Sequence, residues 1–365
     1  MAGGISVIIP SLDPDGNLAA VVEGLLGKGF RSIILVNDGS RSENAHVFTD
    51  IARAHPEVVV LVHEVNRGKG AALKTAFRYF LDNFPDGAGV VTVDGDGQHK
   101  SEDVLECCRH MSETGNFTLG CRDFSLPVVP PRSRFGNRTT RAVLKVLFGL
   151  DISDTQTGLR AIPRECLETF TGLKGERFEY ETNMLLSLNV NGFRCDEVKI
   201  STEYTNDNKG SHFRTMSDSW RIYRLILGSF FRFTASGLVC SCIDIALFAL
   251  LSRVFEPAMG GSLAATAVAT AAARTVSSLS NYLINRKVVF KSAAGVRNTI
   301  GRYFILAAGI MAAQALLTHG VCGLLGIDGA GTLRTLIYTA VMLVLFLASY
   351  RIQRQWVFTP SRTSL

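Results

Sequence analysis

The chain has 365 residues, 47% of them hydrophobic, and a formal net charge of +6, a length that suits two folding units better than one. The charge is unevenly divided: residues 1–211 hold 23 Lys and Arg against 28 Asp and Glu, whereas residues 212–365 hold 15 against 4. The basic residues of the second part punctuate apolar stretches instead of covering a soluble patch, so nucleic acid is excluded as a partner; the eight cysteines show no paired zinc spacing and read as small, buried, reduced residues.

The opening segment, Met1 to Pro10, lacks the charged region and cleavage site of a signal peptide and reads as a strand. Over the first 125 residues, runs rich in Val, Ile and Leu at 5–10, 31–38, 58–64, 89–94 and 117–122 alternate with helical stretches such as Leu18–Leu26 and Ala71–Leu81. Strands without polar alternation are buried on both faces, which predicts an α/β domain with a mostly parallel sheet between helices. Such sheets bind ligands at the carboxyl ends of their strands. Polar residues collect there: Pro10 to Asp13, Asn37 to Ser40, Asn66 to Gly70, Asp94 to His99, and Arg122.

The sharpest of these clusters is Asp94-Gly95-Asp96-Gly97-Gln98-His99. In an extended segment alternate residues face one side, so Asp94, Asp96 and Gln98 are expected to present oxygen ligands together. Those ligands suit a hard divalent cation, Mg²⁺ or Mn²⁺, with positions left for phosphate. Such a cation neutralises a diphosphate leaving group. At the second strand end, Asp38 can accept hydrogen bonds from a nucleobase edge. The glycine-bearing loop from Asn66 to Ala72 opens a helix and offers Lys69 and backbone N–H groups to phosphate. It has neither the Walker spacing nor the dinucleotide fingerprint, which excludes an ATPase and a dehydrogenase.

The segment from Ser211 to Phe233 interleaves Arg214, Arg221, Arg224 and Arg232 with Trp220, Ile222, Leu225, Ile226 and Phe230, as a helix lying in a membrane interface does. Four apolar stretches follow, at about 230–252, 262–284, 303–325 and 333–351, each near bilayer length. The second is rich in Ala, Ser and Thr. Positive charge concentrates in the 285–302 connection (Arg286, Lys287, Lys291, Arg297, Arg302) and in the tail, which predicts cytoplasmic termini and a cytoplasmic head. This half is duplicated: SNYLINRKVVF (280–290) aligns with ASYRIQRQWVF (348–358), and Arg232-Phe233 recurs as Arg302-Tyr303. A repeated two-span unit implies halves related by an axis along the membrane normal. Asp244 and Arg274, costly charges within spans, are expected to pair.

Six motifs in order, PSLDPDGNL, VNDGS, NRGKGAALKTAF, DGDGQH, DTQTGLR (154–160) and FEYETN (178–183), resemble glycosyltransferase family 2 over about residues 3–215. The subgroup is that of dolichyl-phosphate mannose synthase and bacterial polyprenyl-phosphate hexosyltransferases. The NR-x-x-VF endings over about 228–360 resemble the GtrA-like membrane family. The resemblance implies a GT-A-type nucleotide-sugar-binding domain over 1–211, a juxtamembrane helix over 212–229 and an all-α, four-helix transmembrane domain over 230–360.

It further implies metal-dependent, inverting transfer of a hexose from a GDP-mannose or UDP-glucose type donor to polyprenyl phosphate, in a bacterial inner membrane. A homo-oligomer is allowed for. Nucleotide contacts fall on Pro10, Asp13, Asp38, Lys69 and Asp94, metal ligands on Asp96 and Gln98, and acceptor-phosphate arginines on Arg122 and Arg138, with Arg132 and Arg134 as competing choices. Asp154, Gln156, Arg160, Glu179 and Glu181 would shape the sugar and acceptor region, and Ser211 lies in the family's late loop. Many relatives have Asn-Glu where this chain has Asp13-Pro14-Asp15-Gly16-Asn17, which puts the Asp13 contact in doubt. An alternative reading makes the membrane half a flippase for the glycosylated lipid. A processive synthase is not supported, because Gln353-Arg354-Gln355-Trp356 has the wrong spacing and position.

Overall fold

The computed structural model describes residues 4–14, 16–127, 129–201, 215–259, 263–292, 294–327 and 331–358. Two compact units divide the chain, Met1–Tyr223 and Arg224–Ser364.

The first unit is built on one seven-stranded sheet of β1 (Ile5–Ser11), β2 (Ile33–Asp38), β3 (Val58–His63), β4 (Gly89–Thr92), β5 (Phe117–Arg122), β6 (Arg160–Pro163) and β7 (Cys195–Ile200), in the order β3-β2-β1-β4-β6-β5-β7. Strand β6 runs antiparallel to both its neighbours and every other pairing is parallel. The apolar runs predict the first five strands. The last two escape that reading because β6 opens on a charge and ends on proline, while the edge strand β7, CDEVKI, alternates charged and apolar residues.

Helices α1 (Asn17–Gly27), α2 (Ser42–Ala54) and α4 (Ser101–Thr114) pack on the sheet through a core that joins Val7 and Ile9 to Leu18, Val22, Phe48 and Val104. Helices α3 (Lys69–Asn83) and α6 (Arg164–Thr171) lie against β1, β2 and β4 and bury Leu73, Phe77, Phe80 and Phe170. Each fully buried side chain of this size contributes about 1.5–3 kcal/mol. The sheet is therefore a rigid base for the loops at its carboxyl end. Helices α5 (Pro131–Val143) and α7 (Glu179–Asn191) complete the unit. Cys107, Cys108, Cys121 and Cys166 are free and buried, and burial pushes the thiols of Cys107 and Cys121 up to about 12.

Helix α8 (Thr215–Ala258) runs without a break through position 229, where an interfacial helix was expected to give way to the first span. Its two interior glycines, Gly228 and Gly237, do not interrupt it, and its proline, Pro257, sits in the final turn. The second unit continues with α9 (Leu263–Ile284), α10 (Val296–Leu324) and α11 (Thr332–Ile352). Among the described residues three helices are long and apolar enough to cross a membrane, Ile226–Ala258, Val296–Leu324 and Thr332–Val357. Helix α9 has the length, but its Ala, Ser and Thr content leaves it short of that hydropathy. It buries a stripe of small residues instead, Ala265, Ala269, Ala273 and Ser277, the spacing that lets helices approach closely.

The duplication is visible in the contacts. Each copy of the aligned segment ends in a π turn, Asn285–Val289 and Gln353–Val357. Asn285 Nδ2 donates to Gln353 Oε1 at 3.1 Å, and Phe290 stacks on Phe358 at 5.4 Å. Residues at matched positions of two repeats meet one another only about a two-fold. The flanking contacts are reciprocal as well. Tyr282 lies 5.7 Å from Phe358 and Tyr350 lies 5.7 Å from Phe290; the Tyr282 hydroxyl meets Thr299 Oγ1 at 2.7 Å and the Tyr350 hydroxyl meets Ser229 Oγ at 2.6 Å. The expected ion pair is present, with Arg274 Nη1 3.4 Å from Asp244 Oδ2.

Candidate active site

Residues 94–99 do not prolong β4 as an extended segment. The chain turns at 95–97, with Gly97 at φ +77°, a left-handed value that side chains resist. Alternation is therefore not what arranges the ligands. The Gln98 N–H donates to Asp96 Oδ1 at 3.1 Å, a link from side chain to nearby backbone that stabilises turns. Asp94, just ahead of the turn, meets Lys69 Nζ at 2.7 Å and His99 Nε2 at 3.6 Å.

Lys69 serves a second carboxylate, Glu181 Oε1 at 3.1 Å. Burial works against its charge, but Asp94 and Glu181 outweigh burial and raise its pKa. Burial also disfavours ionised Asp94, yet Lys69 first and His99 next hold its carboxyl far below the usual range. Asp96 moves the other way: burial, then the neighbouring charge of Asp94, push it up. A carboxylate whose ionisation is opposed in this way is relieved by a hard cation, and the Asp96 carboxylate with the Gln98 amide offers the oxygen donors such an ion takes. Among the described residues no three His, Cys, Asp or Glu side chains converge as a metal cage. One carboxylate and one amide leave the remaining positions of a hard divalent ion to phosphate and water.

The 66–70 loop is held from both sides. Asp38, 4% exposed, accepts from the Arg67 N–H at 3.0 Å, the Gly68 N–H at 2.7 Å and His63 Nδ1 at 2.7 Å. The Ala71 N–H donates to Glu176 O at 3.0 Å. Three of the amides expected to face phosphate are therefore bonded within the protein, and Asp38 supplies the negative charge that a helix N-terminus favours. A Cβ at Gly39 would collide with the backbone of Val65 and Asn66, so only glycine lets these strand ends close up. Pro10 sits beside Val36 in the β1–β2 register. Asp13 lies at φ +44° and binds Arg41 N, Arg41 Nε and Asn44 Nδ2 at 2.8, 3.0 and 3.0 Å. It fastens the end of β1 to the start of α2.

The 153–160 loop joins this centre to α5. Arg122 donates Nε and Nη2 to the two oxygens of Asp154, at 2.7 and 3.0 Å, and Asp154 is fully buried. Asn137 of α5 donates to Ser153 O at 2.6 Å and accepts from Thr155 N at 3.0 Å. Thr92 Oγ1 donates to Gly158 O at 2.7 Å, and a Cβ at Gly158 would strike the Asp94 carboxylate. The loop is thus bonded to β4 at one end and to α5 at the other, and Gly158 packs closely on Asp94.

Several residues expected to line the sugar and acceptor region are braces. Arg160 is fully buried and donates to Thr157 O at 3.0 Å and Glu181 O at 2.7 Å. Glu179 Oε1 accepts from Glu176 N at 3.2 Å. Gln156 remains exposed, its backbone N–H bonded to Asp154 at 3.1 Å. On α5, Arg134 Nη2 donates to Leu126 O at 2.8 Å, whereas Arg138 is exposed and has no ion pair among the described residues. The Arg132 side chain and Ser211 lie outside the described residues. His63, Asn137 and Gly158 were not singled out by sequence reasoning. His63 had a signal, being polar at the end of an apolar run, the criterion that selected its neighbours.

The seven-stranded sheet gathers charged side chains at the carboxyl ends of its strands, where open sheets of this kind bind ligands. Residues 6–170 match the sequence model of Glycosyl transferase family 2, and the protein is a glycosyltransferase. Residues 232–358 match that of the GtrA/DPMS transmembrane domain, so the chain joins a family 2 glycosyltransferase domain to a membrane domain of that kind and is polyprenyl-phosphate-sugar-synthase-like. It is 25% identical to the UDP-N-acetylglucosamine–dolichyl-phosphate N-acetylglucosaminyltransferase of Methanococcus voltae, over 61% of this chain and 95% of that one. It is 27% identical to the polyprenol monophosphomannose synthase of Mycolicibacterium smegmatis, over 53% of this chain and 76% of that one. A solved mannosyltransferase from Pyrobaculum calidifontis, in complex with GDP-Man and Mn²⁺, aligns with 97% of this chain and 87% of its own at 16% identity and a TM-score of 0.40.

Proposed function

We propose that the chain transfers a hexose from a nucleotide-sugar, of the GDP-mannose or UDP-glucose type, to polyprenyl phosphate at the cytoplasmic face of a membrane, with inversion at the anomeric carbon. The carrying observation is the 94–98 turn, where Lys69 holds Asp94 ionised while Asp96 is left opposed by burial and by that same charge. The names of the two relatives, one an enzyme of dolichyl phosphate and one of polyprenol monophosphate, support the acceptor class.

Asp96 and Gln98 would hold Mg²⁺ or Mn²⁺, which when bound supplies positive charge against the donor's diphosphate. Pro10, Asp13 and Asp38 frame the nucleotide at the ends of β1 and β2, the usual ligand crevice of such a sheet. The lipid phosphate is already an anionic nucleophile, so no side chain must remove a proton from it. Arg138, with Arg134 as the competing choice, grips its non-attacking oxygens. One phosphate oxygen then forms the bond to the anomeric carbon as the bond to the diphosphate breaks, and the work is positioning and charge neutralisation. Arg122 and Asp154 keep the connecting loop fixed while this happens.

The test is to incubate the purified chain with a panel of nucleotide-sugars and polyprenyl phosphate, with and without Mg²⁺ or Mn²⁺, and to weigh the lipid product. A lipid heavier by one hexosyl unit, carried on its existing phosphate, with the nucleoside diphosphate released and product formed only with metal, is expected. Absence of any lipid-linked sugar across the panel would end this reading.

A further inference from the structure

We infer that His63 is a positioning residue for the nucleotide-sugar site, acting through Asp38 on the loop that carries Lys69. This rests on the reading of that site given above. His63 ends β3, is 7% exposed, and among the described residues its ring bonds to Asp38 and to Thr75. Its ring is bonded on both edges: Nδ1 lies 2.7 Å from Asp38 Oδ1 and Nε2 lies 3.0 Å from Thr75 Oγ1 on α3.

The chemistry assigns the proton positions. An ionised carboxylate only accepts, so Nδ1 carries hydrogen toward Asp38; in the neutral ring Nε2 then accepts from the Thr75 hydroxyl. The imidazole is thus a rigid spacer between α3 and the carboxylate. It fixes which oxygen of Asp38 faces which amide: Oδ1 is shared with the Arg67 N–H at 3.0 Å, and Oδ2 is left to the Gly68 N–H at 2.7 Å.

Those two amides immediately precede Lys69, whose ammonium is poised 2.7 Å from Asp94 and 3.1 Å from Glu181. Gly68, at φ +103°, leaves no room for the loop to shift, because a Cβ there would already meet Glu176 O and the Arg177 side chain. If the carboxylate rotates, the amides at 67 and 68 lose their acceptor, and the charge balance at Asp94 moves with them. Helix α5, which carries Arg134 and Arg138, is tied through Asn137 to the 153–155 loop instead, so those arginines stand outside this relay. The consequence is a selective one: loss of the imidazole weakens the hold on the nucleotide and spares the hold on the lipid.

The experiment uses the full chain in detergent and reads binding of UDP and of GDP, each with Mn²⁺, by calorimetry. His63→Phe keeps a planar ring and removes both nitrogens; His63→Asn returns a donor toward Asp38. The expected result is a roughly tenfold or greater loss of nucleotide affinity in His63→Phe, the cost of one misplaced charged hydrogen bond, with most of it recovered in His63→Asn. Thr75→Val, a smaller change at the far edge of the ring, should lose about two- to fivefold. In turnover, KM for the nucleotide-sugar should rise while KM for polyprenyl phosphate stays put, a split that a merely destabilised fold does not produce. Wild-type nucleotide affinity in His63→Phe overturns the inference. If His63→Phe does not fold, Thr75→Val decides, and wild-type affinity there overturns it equally. A wild-type chain that binds neither nucleotide would sink the functional reading as well, which keeps the two failures apart.

Discussion

The two units solve the problem of buried polarity in opposite ways. In the first, charged groups are brought together at one sheet end and each is braced by backbone or by a neighbour: Asp38 by two amides and a histidine, Asp154 by Arg122, Lys69 by two carboxylates. In the second, the repeats meet through aromatic rings, hydroxyls and one amide pair, arranged reciprocally about Asn285–Gln353 and Phe290–Phe358. Fixed charges suit a site that must hold phosphate without reorganising, whereas a symmetric apolar seam suits a unit that must be satisfied without water. The difference separates residues whose loss should stop chemistry from residues whose loss should loosen assembly.

The strongest way to break that comparison is Asp96→Ala. Because Asp96 is read as the carboxylate that holds the cation, transfer should fall by about 10²–10³-fold or more in metal-containing buffer, measured as initial rate of lipid-product formation. Phe290→Ala, its counterpart in the seam, should leave the rate per folded molecule within a few-fold. Normal turnover by Asp96→Ala would dissolve the division between the two units.

Arg138→Ala sharpens the comparison within the first unit. Exposed and without an ion pair among the described residues, Arg138 is available to a lipid phosphate in a way that Arg122, clamped on Asp154, is not. KM for polyprenyl phosphate should rise about tenfold, the worth of one charge-assisted hydrogen bond, with nucleotide affinity unchanged. The same change at Arg134 should do less, since that side chain is occupied with Leu126 O. Equal effects of both substitutions on nucleotide affinity would place α5 on the donor side.

Within the second unit the repeat itself poses a question. By the alignment that matches Phe233 with Tyr303 and Tyr282 with Tyr350, Asp244 corresponds to Gln314 and Arg274 to Met342. The ion pair thus belongs to the first hairpin alone, and Gln314 in the second bonds Tyr338 O at 3.1 Å. Charges within a span persist when they pair, so Asp244→Asn or Arg274→Met alone should lower the thermal midpoint of the full chain by about 2–4 °C. Exchange of the two charges, Asp244→Arg with Arg274→Asp, should recover much of it. Failure of the exchange to recover either single loss would mean that the pair is incidental to assembly.

Much of this was legible in the sequence, for particular physical reasons. Five strands show as β-branched runs because a parallel sheet is buried on both faces, and their polar ends mark the end of the sheet where the candidate site lies. The repeat could be read because a symmetric seam needs the same residues twice. What could not be read was the use each polar residue is put to. Arg160 and Asp154 look like ligand contacts in a motif, yet both are wholly buried and brace loops. The turn at 95–97 was hidden as well, because Asp-Gly-Asp-Gly permits both an extended and a folded backbone, and only the fold around it chooses. Helix α8 runs on through its expected boundary because a change of composition at Phe230 is not a change of backbone.

The smallest expected effect concerns Asp13, the position where the chain departs from its relatives' pattern. Burial opposes ionisation of its carboxyl, but the Arg41 amide, the Asn44 side chain and the Arg41 guanidinium together overcome burial and hold its pKa below the ordinary value. A folded-state pKa below the unfolded one means the unfolded chain binds the proton more readily. The contribution is therefore fully present above about pH 4, the ordinary carboxyl range, and fades as pH falls through the lower folded value. Asp13→Asn keeps the size of the side chain and removes the charge. Its thermal midpoint should lie below that of the parent chain at pH 7, by the equivalent of about 1 kcal/mol for the weakened hydrogen bonds. The gap should narrow as both proteins are taken below pH 4. A gap that widens on acidification would mean that Asp13 is not the fastener between β1 and α2.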